Sequence, residues 1–450
     1  MSRPQSPDTE SELGDIRHTK PGDLGISDDE SQYEGLTATE SAPGAELGTG
    51  YGSADTADSN ETSVIIQGIQ GRHPCGYCKS TWGSRSYVMI GSKVSCRNYQ
   101  RLIDRGWRRS GTLLYLIDHS DSCCCYYPIR AHALEVEARK SDKKVLRKWQ
   151  KRFGVQNDTN LGFFENVDAS GGTELRIVMD TTAYSDEKYG LFEKYQRMVH
   201  DDASSAISFR EFLCYQLLTY EQPKARDSSA ETRKEISRLL PHGLGSYHMC
   251  YYIGDELAAV GVIDVLPHYI SSVYFFYDPK YSALSMGSYS SLREISLVRT
   301  LHALIPSIEY YNLGYYVPEC KKMVYKAHWR PADLLDTISF KWVPIERCMD
   351  RIAKHPGFCT FDPQLDHRNI VRDKSETLAA AMPALNMPKE VLGKDIDSMV
   401  IRLSPMESGN SVIPIPVSRL STISKQMEDF ALQACATMGP DVVKDVRIIL

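Results

Sequence analysis

The sequence predicts an α/β protein, in the broad sense that includes α+β folds, with a small basic cysteine-rich domain ahead of the α/β domain. Residues 256–266 and 272–278 are rich in β-branched and aromatic side chains and end at turn-forming residues, so they predict two buried strands. Residues 285–305 carry apolar side chains three or four positions apart, which predicts a long amphipathic helix. An aromatic run at residues 308–317 predicts a further strand.

The order strand, strand, helix, strand is that of the N-acetyltransferase-like (GNAT-like) core. Proteins with this core usually carry an Arg/Gln-x-x-Gly-x-Gly/Ala loop before the long helix, where backbone N–H groups hold the pyrophosphate of coenzyme A. Residues 281–288 read YSALSMGS and lack that pattern. We therefore expect a GNAT-like domain whose acyl donor is not acetyl-coenzyme A.

Composition and charge exclude several classes of protein. The chain has 450 residues, a formal net charge of -6 and 42% hydrophobic residues, which excludes collagen-like, coiled-coil and wholly disordered chains. Residues 1–62 contain 14 acidic residues, three basic residues and no apolar periodicity, so we expect a disordered acidic tail. The chain lacks any run of about 18 apolar residues, which predicts no membrane span.

The polar amino terminus shows no secretory signal, so we expect a cytoplasmic protein, with the nucleus as a second location. In a reducing compartment the 12 cysteines indicate metal binding or catalysis more than disulfides. Cys75 and Cys78 flank a tight Gly-Tyr turn, and three adjacent cysteines follow at 123–125. Together they predict a site for a zinc ion or an iron–sulfur cluster, because thiolates suit both. The spacing leaves open which two of the three adjacent cysteines are ligands.

Residues 72–152 contain 18 basic and six acidic residues, interleaved with tryptophan and tyrosine. Cations that pair with phosphates, beside rings that stack on bases, are typical of nucleic-acid binding. For residues 139–152, which read as a helix, a solvated charged face explains the pattern equally well. The arginines beside the cysteines are the stronger candidates for binding RNA: Arg97, Arg101, Arg105, Arg108 and Arg109.

Eight short segments, in order over about residues 63–350, resemble the eukaryotic arginyl-tRNA–protein transferase family. A chance match of eight segments in the same order is very improbable. The segments are HPCGYC (73–78), CCCYYPIR (123–130), GVIDVLP (261–267), SVYFFYDP (272–279), LREI (292–295), LGYY (313–316), MVYK (323–326) and RPADLL (330–335).

The resemblance implies transfer of arginine from arginyl-tRNA to the α-amine of acceptor proteins that begin with Asp, Glu or oxidised Cys. Such transfer marks the acceptor for degradation through the N-degron and ubiquitin pathway. The family needs no acetyl-coenzyme A. Aligning Ile129 and Arg130 with the family's motif makes Cys123 and Cys124 the partners of Cys75 and Cys78 at the metal site.

This chemistry suggests roles for several residues. The donor is an activated ester and the acceptor amine has a pKa of about 7.7 to 8.0, so positioning should contribute more than base catalysis. The arginine guanidinium calls for a carboxylate, for which Asp264, Asp278 and Glu294 are candidates. An acidic acceptor residue calls for a cation, and the candidates are Arg293, Lys326 and Arg330.

We place the reacting centre at the strand ends beside the start of the long helix, where helical N–H groups can hold an anion. Tyr315 and Tyr316 would flank the terminal adenosine, or belong only to the core. The candidate catalytic residues are Asp278, Asp264 and Tyr315. The candidate substrate-binding residues are Glu294, Arg293, Lys326, Arg330, Ser288 and Tyr316.

The predicted organisation has five parts: an acidic tail (1–62), a basic cysteine-rich domain (63–152), a linker or helical segment (153–205), a GNAT-like domain (206–350) and a partly flexible extension (351–450). An alternative interpretation keeps this organisation without catalysis. In it, the protein is a metal-containing RNA-binding adaptor with an inactive acetyltransferase-like domain.

Overall fold

The computed structural model describes residues 62–119, 122–153, 175–200, 206–355, 357–363, 400–404, 413–416, 437–443 and 445–449. The predicted acidic tail lies outside these residues, apart from Thr62. The described residues form two sheets of eight strands each, with helices packed against them. None of the described helices combines the length and apolarity needed to cross a membrane.

The strands and helices alternate irregularly along the chain. The strands are β1 Thr62–His73, β2 Ser84–Ser95, β3 Arg108–Ser110, β4 Leu113–Ile117, β5 Tyr127–His132, β6 Leu175–Asp180, β7 Leu218–Thr219, β8 Gly245–Ile253, β9 Glu256–Val265, β10 Tyr269–Tyr277, β11 Tyr310–Tyr316, β12 Ala332–Asp336, β13 Lys341–Pro344, β14 Val400–Ser404, β15 Ile413–Pro416 and β16 Val446–Ile449. The helices are α1 Cys96–Ile103, α2 Lys140–Phe153, α3 Asp186–Tyr195, α4 Ala206–Phe212, α5 Ala230–Leu239, α6 Met286–Leu304, α7 Ile345–Lys354 and α8 Pro440–Val443.

The first sheet combines both ends of the described chain. Its strand order is β15-β14-β16-β1-β2-β4-β3, with β7 also paired to β2. Strand β16 runs parallel to β1, and Val64 is in register with Ile448. The region predicted as an extension after residue 350 therefore supplies three strands to this sheet. Thr62, predicted as the last residue of the tail, is buried, and its hydroxyl accepts hydrogen bonds from Ser95 N and Asn98 Nδ2.

The second sheet has the order β13-β12-β5-β11-β10-β9-β8-β6. Strand β5 comes from the cysteine-rich segment and lies between β11 and β12, so the predicted boundary at residue 152 does not separate two domains. Strand β6 comes from the segment predicted as a linker and pairs with β8 at the sheet edge. One continuous cluster of buried apolar side chains spans both sheets. The two regions therefore share a core.

The four predicted elements of the α/β domain are confirmed as β9, β10, α6 and β11, with ends shifted by at most three residues. Strands β10 and β11 run parallel, but only Tyr269–Ser271 pair with Tyr310–Asn312. Beyond these three positions the two strands diverge. Gly314 has φ 72°, a left-handed conformation that glycine adopts without steric cost. The divergence opens a gap beside the first turns of α6.

Helix α2 packs against α6. Trp149 stacks face to face on Tyr289, with ring centroids 3.7 Å apart and an interplanar angle of 5°. The Trp149 indole N–H donates to the Leu284 carbonyl at 2.9 Å. Trp149 is fully buried, and truncation of such a side chain typically costs about 3–5 kcal/mol. This contact fixes the position of α2 relative to the gap between β10 and β11.

Candidate active site and metal centre

Four of the cysteines converge where the loop after β1 of the first sheet meets the loop before β5 of the second sheet. Cys75 and Cys78 lie in the loop after β1, while Cys123 and Cys124 lie in the loop before β5. Their sulfur atoms all lie within 4.8 Å of one another. Neighbouring sulfurs are separated by 3.9 Å (Cys75 to Cys124), 3.4 Å (Cys78 to Cys123) and 4.0 Å (Cys123 to Cys124). The four residues predicted as ligands therefore form one group, the cysteine cluster.

The dimensions of the cysteine cluster fit a metal ion. A tetrahedral zinc site with Zn–S bonds of about 2.3 Å has sulfur–sulfur edges of about 3.8 Å, close to the observed spacing. Cys125 points away from the cluster into the main core, where the Tyr127 hydroxyl lies 3.5 Å from the sulfur of Cys359. Of the three adjacent cysteines, Cys123 and Cys124 therefore join the cysteine cluster in this structure, and Cys125 does not.

The thiols of the cysteine cluster influence each other's ionisation. The hydrogen bond from Cys124 lowers the pKa of Cys75 to about 4, with a smaller contribution from Tyr126 and against the effect of burial. Burial and a hydrogen bond with Cys78 raise the pKa of Cys123 to about 12. Four neighbouring thiolates repel one another, so a bound cation would be needed to ionise them all. Binding a divalent ion would therefore release protons.

A small pocket lies in the gap between β10 and β11. Its space, counted together with the open solvent at its mouth, is about 250 Å³. Both strands and the first two turns of α6 contribute to its wall, together with a tyrosine from the segment after β11. The lining residues are Ser272, Phe275, Gly287, Ser290, Ser291, Glu294, Tyr311, Leu313 and Tyr325. The pocket therefore occupies the region where the sequence places the reacting centre.

Glu294 is the carboxylate of this pocket and is buried, with 1% of its surface exposed. Its Oε1 accepts a hydrogen bond from the Ser290 hydroxyl at 2.6 Å, and its Oε2 accepts one from the Tyr311 hydroxyl at 2.8 Å. Burial and the nearby Glu294 charge raise the pKa of Tyr311 well above its usual range, so this hydroxyl stays a donor. Glu294 is the one acidic side chain among the described residues that line this pocket.

Asp264, a catalytic candidate, and Arg109, a candidate for tRNA binding, are paired with each other. Arg109 donates from Nε to Asp264 Oδ2 at 2.8 Å and from Nη2 to Oδ1 at 2.6 Å, and both side chains are buried. Ser246 donates to the same carboxylate at 2.6 Å. Asp264 is therefore not available as a catalytic group or guanidinium partner, and Arg109 is not available to a tRNA phosphate. Their pairing joins β3 of the first sheet to β9 of the second.

Asp278 is also engaged by the protein. Its carboxylate accepts from Lys194 Nζ at 2.7 Å and from the backbone N–H of Lys280 at 3.0 Å. Burial favours the neutral form, but these donors outweigh it and keep the pKa of Asp278 below its usual value. In this structure Asp278 caps the 3₁₀ turn Pro279–Leu284 and does not line the pocket.

The other candidates lie around the end of β11. Tyr315 is buried against Tyr126, which packs beside the cysteine cluster. The Tyr315 hydroxyl donates to the Gly106 carbonyl at 2.9 Å. The Tyr316 side chain is buried. The Lys326 ammonium is buried and donates to the Leu313 carbonyl at 2.8 Å. These contacts support the core interpretation of the two tyrosines.

Three candidates remain near α6 and α7. Arg293 is buried in α6, and its guanidinium lies 5.2 Å from the centre of the Tyr289 ring. Ser288 is half-buried in the first turn of α6 and is not a lining residue. Arg330 is half-exposed and pairs with Glu346 at 3.1 Å.

Four of the five arginines predicted to bind RNA form hydrogen bonds or ion pairs with other groups of the protein. Arg108 is buried and donates to the carbonyls of Trp107 and Gly314, and Arg109 pairs with Asp264. Arg101 pairs with Asp445 at 3.3 Å, and Arg105 donates to the Thr437 carbonyl. Arg97 remains exposed.

The residues that the sequence interpretation missed are the pocket partners of Glu294. Ser290 precedes it by one helical turn, a spacing that would have indicated a shared helix face.

The fold and the two sites define an α/β protein with a four-cysteine cluster that could hold a metal ion and a small pocket that contains a buried carboxylate. Residues 73–144 match the family described as "Arginine-tRNA-protein transferase, N terminus", and residues 187–336 match "Arginine-tRNA-protein transferase, C terminus". These two parts of the chain are therefore similar to the two halves of the arginine-tRNA-protein transferase family.

Curated relatives show the same similarity. An arginyl-tRNA–protein transferase 1 of Saccharomyces cerevisiae is 35% identical over 269 residues, which cover 57% of this chain and 52% of the relative. The arginyl-tRNA–protein transferase 1 of Drosophila melanogaster is 28% identical, and the match covers 60% of this chain and 80% of the relative. An aspartate/glutamate leucyltransferase of Pseudomonas aeruginosa is 24% identical, and the match covers 61% of this chain and 94% of the relative. The match thus spans about half the length of the yeast relative.

Proposed function

We propose that this protein transfers arginine from arginyl-tRNA to the N-terminal α-amine of acceptor proteins. The similarity of residues 73–144 and 187–336 to the arginine-tRNA-protein transferase family supports the reaction class. The buried carboxylate of Glu294 in the pocket is the observation that carries the assignment of arginine. A guanidinium that enters the pocket would face a preorganised anion, and hydrogen bonds between charged groups in a buried site are worth about 1.5–3 kcal/mol.

We further propose that the acceptors begin with Asp, Glu or oxidised Cys. The name of the bacterial relative, an aspartate/glutamate leucyltransferase, supports acidic acceptors. Arginylated acceptors would enter the N-degron and ubiquitin pathway, and the reaction would take place in the cytoplasm, with the nucleus as a second location.

The proposed reaction needs positioning more than strong acid–base groups. The ester of arginyl-tRNA is already activated, and an α-amine with a pKa of about 7.7 to 8.0 is partly neutral at physiological pH. Glu294 would hold the arginine side chain and so place the ester carbonyl at a fixed point. The first turn of α6 has unpaired backbone N–H groups and a positive dipole end, which can stabilise the developing oxyanion or a terminal phosphate. Gly287 lets a substrate approach this backbone closely.

The second sheet is proposed to be GNAT-like. The divergence of parallel strands β10 and β11 beside the start of α6 supports this fold. The segment before α6 is a 3₁₀ turn ending at Ser285, which has φ 57° and makes no side-chain capping bond. This conformation, together with the missing Gly-rich loop, supports a donor other than acetyl-coenzyme A.

We propose that the cysteine cluster holds a single zinc ion, with an iron–sulfur cluster as the second candidate. Sulfurs 3.4 to 4.0 Å apart suit four bonds to one ion. A cluster in which each iron takes its own thiolate would hold the sulfurs farther apart. When bound, the ion would stabilise the loops before β2 and β5. Elemental analysis of the purified protein for zinc and iron distinguishes the two.

The test of the proposed function is a transfer assay with tRNA charged with labelled arginine. A peptide beginning with Asp should accept the label, and the same peptide beginning with Gly should not. The adaptor interpretation predicts tRNA binding without transfer to either peptide. Transfer of lysine from lysyl-tRNA at the same rate would contradict the assignment of the pocket to arginine.

A further inference from the structure

Helix α2 presents a dense row of cations to the solvent. Its sequence KSDKKVLRKWQKRF contains seven basic residues, and all seven side chains are exposed. Its single acidic residue, Asp142, is buried and pairs with Arg139 at 3.1 Å. Lys143, Lys144 and Arg147 make no ion pair with any residue in the described ranges. The exposed basic residues, here named the α2 basic face, are Lys140, Lys143, Lys144, Arg147, Lys148, Lys151 and Arg152.

The apolar side of α2 is not available to a membrane. Leu146, Trp149 and Phe153 are buried in the main core. Trp149 stacks on Tyr289, so the helix cannot turn its apolar side outward without losing that contact. A basic amphipathic helix that binds a lipid surface inserts its apolar side. The docked helix therefore fits a partner that is recognised through anionic groups alone, and a phosphate backbone is such a partner.

The α2 basic face lies next to the pocket. Tyr289, the stacking partner of Trp149, sits in the same turn of α6 as Gly287 and Ser290, both of which line the pocket. Lys148 Nζ donates to the Ala283 carbonyl, just before α6 begins. A helix of 14 residues is about 21 Å long. The α2 basic face thus extends from the start of α6 over about 21 Å, or roughly 60% of one turn of a nucleic-acid duplex.

We propose that the α2 basic face binds the acceptor-arm phosphates of arginyl-tRNA and directs its aminoacylated 3′ end into the pocket. The proposal rests on the proposed function, because it takes arginyl-tRNA as the substrate of the pocket. It also replaces most of the arginines first assigned to RNA, since Arg101, Arg105, Arg108 and Arg109 are held by the protein. The exposed Lys143, Lys144 and Arg147, which make no ion pair in the described ranges, can instead pair with phosphates and release their counterions.

The test compares tRNA affinity in two variants of equal charge. The α2 variant carries Lys143→Gln, Lys144→Gln and Arg147→Gln. The control variant carries Arg233→Gln, Lys234→Gln and Lys354→Gln, three exposed residues of α5 and α7. Fluorescence anisotropy with labelled tRNA at several salt concentrations gives Kd and its salt dependence. We expect the α2 variant to raise Kd about tenfold or more and to reduce the slope of log Kd against log salt by about two.

The control variant should change Kd less than about twofold. Its three charges lie outside the proposed binding surface, and salt screens their long-range attraction to tRNA. Equal losses in both variants, or no loss in the α2 variant with a normal melting temperature, would overturn the proposal. Loss of binding to phosphatidylserine vesicles with unchanged tRNA affinity would also overturn it. The transfer assay on the wild-type protein tests the proposed function separately. If the wild-type protein transfers arginine while the α2 variant binds tRNA with unchanged affinity, only the inference about the α2 basic face is wrong.

Discussion

Arg109 and Asp264 form a buried, two-point ion pair between residues 155 positions apart in the chain. Arg109 belongs to β3 of the first sheet, and Asp264 belongs to β9 of the second. The Ser246 hydroxyl completes the set by donating to the same carboxylate. Because both charges are removed from water, each depends on the other for compensation.

Removing one member of this pair should destabilise the whole fold. We expect Arg109→Met or Asp264→Ala to lower the free energy of unfolding by about 3–5 kcal/mol, because the remaining charge stays buried without its partner. Urea denaturation measures the change. The exposed Arg97, changed to Met, is the control and should stay within about 0.5 kcal/mol. Normal stability of Arg109→Met with weakened tRNA binding would restore Arg109 as an RNA contact.

The cysteine cluster predicts a pattern of metal loss. Cys75→Ser, Cys78→Ser, Cys123→Ser and Cys124→Ser should each reduce metal content and lower the melting temperature, because a closed site that loses one ligand binds the ion poorly. Metal content is measured by elemental analysis. Cys125→Ser is the matched control, since this neighbour faces the main core and should retain the metal. Retention in Cys124→Ser together with loss in Cys125→Ser would move the fourth ligand by one residue.

Glu294 and Asp278 allow the same chemical change at two positions. Glu294→Gln should reduce kcat/KM for arginine transfer by about 10- to 100-fold, since it removes the charge that faces the guanidinium. Asp278→Asn should change it less than about threefold per folded molecule, because Asp278 pairs with Lys194 outside the pocket. Steady-state transfer assays and tRNA affinity are measured for both variants. A larger effect of Asp278→Asn would return the catalytic role to Asp278.

The buried side chain of His248 should make the stability of the fold sensitive to acid. It is fully buried, and burial, reinforced by Lys188, lowers the pKa of its imidazole to about 3. The unfolded chain takes up a proton below about pH 6.5, whereas the folded protein does not until about pH 3, so stability falls with pH across this window. Protonation of His248 alone should cost about 2 kcal/mol at pH 5.

His248→Gln provides the comparison for this loss. Glutamine can still donate to the Leu213 carbonyl, which His248 Nε2 contacts at 3.0 Å, but it does not titrate. The stability difference between the variant and the wild type should therefore shift in favour of the variant as pH falls from 7 to 5. Urea denaturation at each pH measures it. Parallel losses in both proteins would mean that other groups, such as His119, account for the acid sensitivity.

Local patterns in the sequence correctly predicted β9, β10, α6 and β11, because alternation and helical periodicity are properties of neighbouring residues. The Cys-x-x-Cys pair and the following cysteines likewise identified the cysteine cluster. The resemblance added the choice of Cys124. Domain boundaries were not predictable in this way. Strand β5 lies inside the second sheet because it hydrogen-bonds to strands about 180 and 200 residues further along the chain, and no local pattern encodes such a partner.

The sequence by itself determined the family resemblance, the type of the elements β9, β10, α6 and β11, and the cysteine-rich segments, since these depend on residue identity and on short spacings. The tertiary structure alone decided which charged residues face a substrate. Asp264, Asp278 and Glu294 are equivalent in the sequence, yet only Glu294 lines the pocket, while the other two pair with Arg109 and Lys194. The physical reason is that a charged side chain takes its role from its partner, and packing brings that partner from a distant strand or helix.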